Sequence, residues 1–181
     1  MSLVPVIAAT HGVALVLAAV LSFGLIRLLH PLLVRYALAR PNARSSHSVP
    51  TPQGGGIAVI AAALLVGLPA VVAIGGMAAL AAFAIVGVAT LVLAVLGAVD
   101  DIRPLPALPR LLVQMAAVAA IVILASPGRI LPDSVPLAAE RVLLVLAGTW
   151  WVNLVNFMDG IDWITVAELV PMTAVLAALG L

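Results

Sequence analysis

The sequence predicts an all-α fold, a polytopic bundle of transmembrane helices. Three observations lead there: 65% of its residues are apolar, only 8% are charged, and mean hydropathy is +1.34, all far from the values of an ordinary soluble domain. The apolar runs are continuous rather than alternating, which argues against a β-barrel. Each span needs roughly 20 apolar residues to cross about 30 Å of hydrocarbon. The 181 residues therefore accommodate about six spans in a single transmembrane domain, 1–181.

Charge, proline and glycine place the spans near residues 3–26, 56–74, 77–98, 111–125, 140–157 and 164–181. The first lacks the basic flank of a signal peptide, and its apolar stretch from Leu3 to Leu29 is too long for one, so it reads as an uncleaved span. Residues 45–99 contain no Asp, Glu, Lys or Arg and are broken only around Pro69 and Gly75-Gly76, as expected of two helices joined by a short uncharged loop. There is no cysteine, and all eight basic residues are arginine. Arg27, Arg35, Arg40 and Arg44 follow the first span, and Arg103 and Arg110 follow the third. Both loops are therefore expected in the cytoplasm, with the amino terminus and the segment 126–141 outside. No nucleic-acid partner is expected; the bilayer is the obligatory one.

Polar chemistry collects in three loops of the inner face, 35–55, 99–110 and 156–163. A proton-coupled carrier using Asp159 and Asp162 is the rival reading, but carriers hold their ionisable groups near the midplane, and here the acids stand at helix ends. In the first loop, RPNARSSHSVPTPQGGG offers Arg44 and His47 to an anion, and its glycines open a helix whose free N–H groups favour negative charge. The alternative is a proline turn followed by small residues that pack helices.

In the second loop Asp100 and Asp101 end the third span. Neighbours on a helix point about 100° apart, so the two carboxylates are expected to divide roles: one at a metal or its water shell, the other at a proton or a basic partner. The plainer alternative is that they cap the following segment and solvate the loop. In WWVNLVNFMDGIDW, Asn153, Asn156 and Asp159 recur every three residues and drift about 60° per step, making one slanted polar stripe. Gly160 then lets Asp162 fold back toward it. The stripe is expected to face a wet cavity, where amide oxygens and carboxylates reach a metal ion or sugar hydroxyls; interhelical hydrogen bonding is the alternative.

Taken in order, these loops resemble the polyprenyl-phosphate N-acetylhexosamine-1-phosphate transferases, glycosyltransferase family 4. Arg44, His47, Pro50-Thr51-Pro52 and Gly55-Gly56 are similar to its first cytoplasmic motif. Asp100-Asp101 with Leu105, Arg110 and Gln114 resembles its aspartate-pair motif, and Asn153, Asn156 and Asp159-Gly160-Ile161-Asp162 its third. NFMDGID is most like members that initiate lipopolysaccharide or capsule synthesis.

The resemblance implies an enzyme of the bacterial inner membrane that transfers a sugar-1-phosphate from a UDP-sugar to undecaprenyl phosphate and releases UMP. It implies Mg²⁺, with Mn²⁺ as a substitute, held by Asn156 with Asp100 and Asp101. Asp100, Asp101, Asp159 and Asp162 would be catalytic, while Arg44, His47, Asn153, Asp159 and Asp162 would bind substrate. A homodimer is compatible with it. Members commonly have glycine where Trp163 stands, and they carry ten or eleven spans with a later aspartate and a histidine motif. The chain is thus expected to be the amino-terminal half of such an enzyme, either active or a remnant without turnover.

Overall fold

The computed structural model describes residues 3–36, 38–39, 50–52, 54–126, 128–158 and 164–179. Six helices follow one another: α1 (Leu3–Tyr36), α2 (Gly55–Ile74), α3 (Gly76–Ile102), α4 (Ala107–Ala120), α5 (Leu137–Met158) and α6 (Ile164–Leu179). The connector from α1 to α2 carries a small antiparallel pairing of β1 (Leu38–Ala39) with β2 (Thr51–Pro52). Among the described residues, five helical segments are long and apolar enough to cross a membrane: Gly12–Tyr36, Gly55–Ala73, Gly76–Asp100, Ala107–Ala125 and Leu137–Phe157. The sixth helix, α6, has 16 residues with Pro171 inside it.

Consecutive helices pack side by side, and they run in alternating directions. A methyl group built on Gly67 would lie 2.8 Å from Phe83 Cε2, and one on Gly87 would lie 3.2 Å from Leu64 Cδ2, so α2 and α3 are antiparallel and nearly in contact. Their link is minimal. Gly75 donates its N–H to Val71 O at 2.7 Å, and Gly76 takes a left-handed φ of 66° that starts α3 at once.

The buried apolar positions are mostly small, Ala58, Ala62, Ala89, Ala117 and Val118. Lipid supplies no hydrophobic force between helices, so close backbone approach and van der Waals contact must hold such a bundle together. Large apolar side chains instead face outward, as at Leu15, Leu65, Val88 and Val142. This is the expected exterior of a chain solvated by hydrocarbon.

Gly148 shows how tight one seam is, because an added methyl would come within 2.8 Å of Val118 Cγ1 across the contact of α5 with α4. Valine is stiff at χ1 and cannot swing away. Gly148→Ala is therefore expected to destabilise the bundle by about 1–3 kcal/mol, read as a lower thermal unfolding midpoint in nanodiscs.

Three boundaries differ from expectation. Residue 26 does not end α1, since the helix continues through Arg27 and Arg35 to Tyr36. The Arg27 guanidinium lies 4.9 Å from the Phe23 ring centroid and that of Arg35 5.2 Å from the Tyr36 ring, so a flexible cation is accommodated on the helix surface instead of breaking it. Pro69 lies inside α2, and the turn is at Gly75–Gly76 alone. α4 begins at Ala107 rather than 111, with Pro109 in its first turn, where a missing N–H costs nothing.

Candidate functional site

α3, α4 and α5 bring their polar residues to one end of the bundle, the end where α3 and α5 finish and α4 begins. Asp100, in the last turn of α3, turns toward the connector and α4. Its Oδ1 accepts the Leu105 N–H at 2.7 Å, and its Oδ2 accepts Arg110 Nη1 at 2.9 Å. One carboxylate thus ties down the 103–106 connector and the first turns of α4, and its partner is a basic side chain, one of the two roles expected for the pair. Both members are partly exposed, 30% for Arg110 and 23% for Asp100, so the bond stays in reach of water.

Six ångströms or so farther up α4, Gln114 is almost fully buried and accepts Asn153 Nδ2 at 2.9 Å. The same nitrogen donates to Thr149 O at 2.9 Å, and Thr149 Oγ1 donates to Val145 O at 2.7 Å. Asn153 therefore bridges α4 to α5, which is the interhelical bonding named above as the alternative, realised through its N–H₂ group. Leu105, Arg110 and Gln114 each acquire a physical partner here. Spacing along the sequence had grouped them with the aspartates but gave none of these contacts.

Asn156 is exposed and faces a different seam. With Ile60, Thr90, Leu93, Ala94, Val152 and Val155 it lines a cleft of about 480 Å³ between α2, α3 and α5. Asp100 and Asn156 share an end of the bundle but no described cleft or bond. Helical register accounts for the difference: Thr90, Ala94 and position 101 fall within about 40° of one another around α3, whereas position 100 is rotated about 80° or more away from the first two. The α3 stripe that lines the Asn156 cleft therefore runs down to position 101.

Depths agree by the same geometry. From the Gln114–Asn153 bond, Asn156 lies about 4.5 Å and Arg110 about 6 Å toward the same end. Arg44, His47, Asp159 and Asp162 lie outside the described residues, as does the side chain of Asp101.

Oxygen is the only donor type the described site presents, from the Asn156 amide and the aspartates. Among the described residues no group of three or more His, Cys, Asp or Glu side chains could by itself hold a metal ion. Mg²⁺ does not require one, because it is commonly bound through one or two carboxylates, substrate phosphates and retained waters. The donor set fits that ion.

Gly54 opens α2 with a left-handed φ of 93°, and a methyl there would lie 3.1 Å from Leu33 Cδ2. Around Gly55 and Gly56 nothing described stands within 4 Å of an added methyl. Helix packing thus accounts for Gly54 and not for its two successors.

Sequence reasoning missed Glu140, at the opposite end. Its carboxylate is fully buried and accepts Ile130 N–H at 2.6 Å, Leu131 N–H at 3.2 Å and Arg129 Nε at 3.0 Å. Arg129 also donates to Asp133 Oδ1 at 3.1 Å and to Val135 O. Arg141 donates to Val122 O at 2.6 Å and Gly128 O at 3.0 Å, satisfying carbonyls near the end of α4, where a cation is favoured. The excess of charge in 126–141 was visible in the sequence, but this wiring was not.

No curated protein and no solved structure matches the chain. The family model described as glycosyl transferase family 4 matches residues 83–181, more than half of the chain, including Asp100, Asp101, Gln114, Asn153, Asn156, Asp159 and Asp162. A multi-pass helical bundle with its polar residues gathered at one end, matched over that length, belongs to glycosyl transferase family 4, a family of transferases.

Proposed function

We propose that the protein transfers a sugar-1-phosphate, of the N-acetylhexosamine type, from a UDP-sugar to undecaprenyl phosphate, an initiating step of cell-envelope glycan synthesis at the bacterial inner membrane. The observation that carries the reading is the register of α3, which puts position 101 on the stripe lining the Asn156 cleft while Asp100 is engaged by Arg110. Two adjacent acids thereby serve two seams at one membrane face, where a water-soluble nucleotide and a lipid headgroup can meet.

In the reaction an oxygen of the lipid phosphate attacks the β-phosphorus of the UDP-sugar. The bond from that phosphorus to the bridging oxygen breaks, UMP leaves, and a sugar diphospholipid remains. Positioning and electrostatic stabilisation carry most of the catalysis in phosphoryl transfer. Asp101 and Asn156 would hold Mg²⁺, with Asp100 beside them fixing Arg110 and the connector. When bound, the ion supplies charge neutralisation on the diphosphate. Arg44 and His47 would contact phosphate oxygens, and Asn153, Asp159 and Asp162 would orient the nucleotide sugar. One of the aspartate pair would accept the proton of a lipid phosphate that arrives protonated.

The test is UMP release from radiolabelled UDP-N-acetylglucosamine by membranes containing the chain and undecaprenyl phosphate. Release that requires Mg²⁺ and the lipid is expected; a folded chain that releases none is a non-catalytic remnant. Orientation is checked separately, since a chain without cysteine suits single-cysteine labelling. Asp133→Cys is expected to react with an impermeant maleimide on intact cells, and Arg103→Cys only after permeabilisation. The reverse pattern would place the site on the wrong side for a nucleotide substrate.

A further inference from the structure

We propose that Gln114 is a positioning residue that holds Asn153 as an acceptor-only group, so that Asn153 meets a hydroxyl or N–H of the nucleotide sugar and not a phosphate oxygen. This rests on the transferase reading above and specifies which part of the substrate Asn153 touches.

The orientation of an asparagine amide must be argued from its partners, because oxygen and nitrogen look alike by shape. Here a backbone carbonyl decides it. Thr149 O can only accept, so the Asn153 atom 2.9 Å from it is the nitrogen. That same nitrogen is 2.9 Å from Gln114, so Gln114 presents its oxygen. Both hydrogens of the Asn153 amide are then used, one on each acceptor. The remaining edge is its carbonyl oxygen, which carries lone pairs and no hydrogen.

Burial makes the arrangement costly to leave. Gln114 and Thr149 are each only 5% exposed, and turning the Asn153 amide over would set oxygen against oxygen at both contacts with little water to compensate. Asn153 is therefore restricted to partners that donate. On a UDP-sugar these are the hydroxyls of the hexose and ribose and the N–H groups of the acetamido arm and uracil. The diphosphate offers none and is left to cationic residues.

The experiment measures equilibrium binding of UDP-N-acetylglucosamine to the whole chain in nanodiscs, with UMP alone and MgCl₂ alone as separate arms. Gln114→Met keeps the length and loses the acceptor, and should weaken UDP-N-acetylglucosamine binding about tenfold. Gln114→Glu keeps an acceptor and should bind within about threefold of the unaltered chain. An equal loss for UMP assigns the donor to the nucleoside, and a loss confined to the UDP-sugar assigns it to the hexose.

In ¹⁵N spectra, one of the two exchange-protected Asn153 amide protons should lose protection in Gln114→Met while thermal unfolding stays within a few degrees. Unchanged binding by a folded Gln114→Met overturns the proposal, as does an equal loss in both variants accompanied by lower stability, which would be a packing role. Failure of the unaltered chain to bind the UDP-sugar, or Gln114-dependent binding of Mg²⁺ alone, also overturns it. Binding that depends on Gln114 in a chain that releases no UMP would instead defeat the transferase reading and leave this one standing.

Discussion

Asp101→Asn is expected to lower Mg²⁺-dependent UMP release by roughly 10²–10³-fold, the usual consequence of removing one preorganised electrostatic group from a reacting centre. Asp100→Asn should behave differently. An amide at position 100 can still accept the Leu105 N–H but turns a donor toward the donor Arg110, so the bonds at 2.7 and 2.9 Å cannot both survive. Its first effect is on the connector and the start of α4, a stability loss of about 1–2 kcal/mol for a partly exposed, charge-assisted bond. Activity should fall with it. Measuring turnover and thermal midpoint on the same preparations separates the two, and a stability loss confined to Asp101→Asn would reverse the division of roles.

Glu140→Ala should cause the larger structural failure, at the end of the bundle far from the chemistry. Three donors converge on that buried carboxylate, two backbone N–H groups and Arg129 Nε. None can be left unpaired cheaply in a site closed to water. The expected result is a drop of several degrees in unfolding midpoint, greater than for Gly148→Ala, with proteolysis appearing in the segment before α5. Glu140→Gln should fall between, since its oxygen can still serve Ile130 and Leu131 while its N–H₂ opposes Arg129. Deleting the exposed Asp133 carboxylate should cost little, because it is 97% exposed and one member of an i,i+4 surface pair.

The sequence made the helices legible where punctuation coincided with a change of direction. Gly75–Gly76 and the prolines at 104 and 106 ended and began helices where expected. Arg27 misled because a charge was taken as the limit of a helix, whereas a long cation can fold its stem along the surface and rest on Phe23. Pro69 misled in the opposite sense, since a helix packed among neighbours tolerates one missing hydrogen bond. Periodicity did place Asn153 and Asn156 on one stripe, but a stripe 60° wide can straddle two seams: Asn153 meets α4, and Asn156 meets the cleft beside α2 and α3. Partners such as Gln114, 39 residues from Asn153, belong to tertiary packing, which no local pattern encodes. Glu140 escaped for the same reason, its donors lying nine to eleven residues away in an aperiodic segment.

Beyond Ala120, α4 closes through a π-helical turn, Ile121–Ala125, whose carbonyl at Val122 receives Arg141. Such a turn holds one residue more than the ordinary spiral needs. Deleting a single residue within it should restore regular winding and swing everything that follows by about 100° about the axis. Arg141 would then lose the carbonyl it grips, so the length of this short stretch, more than its composition, sets the angle at which the chain re-enters the bilayer.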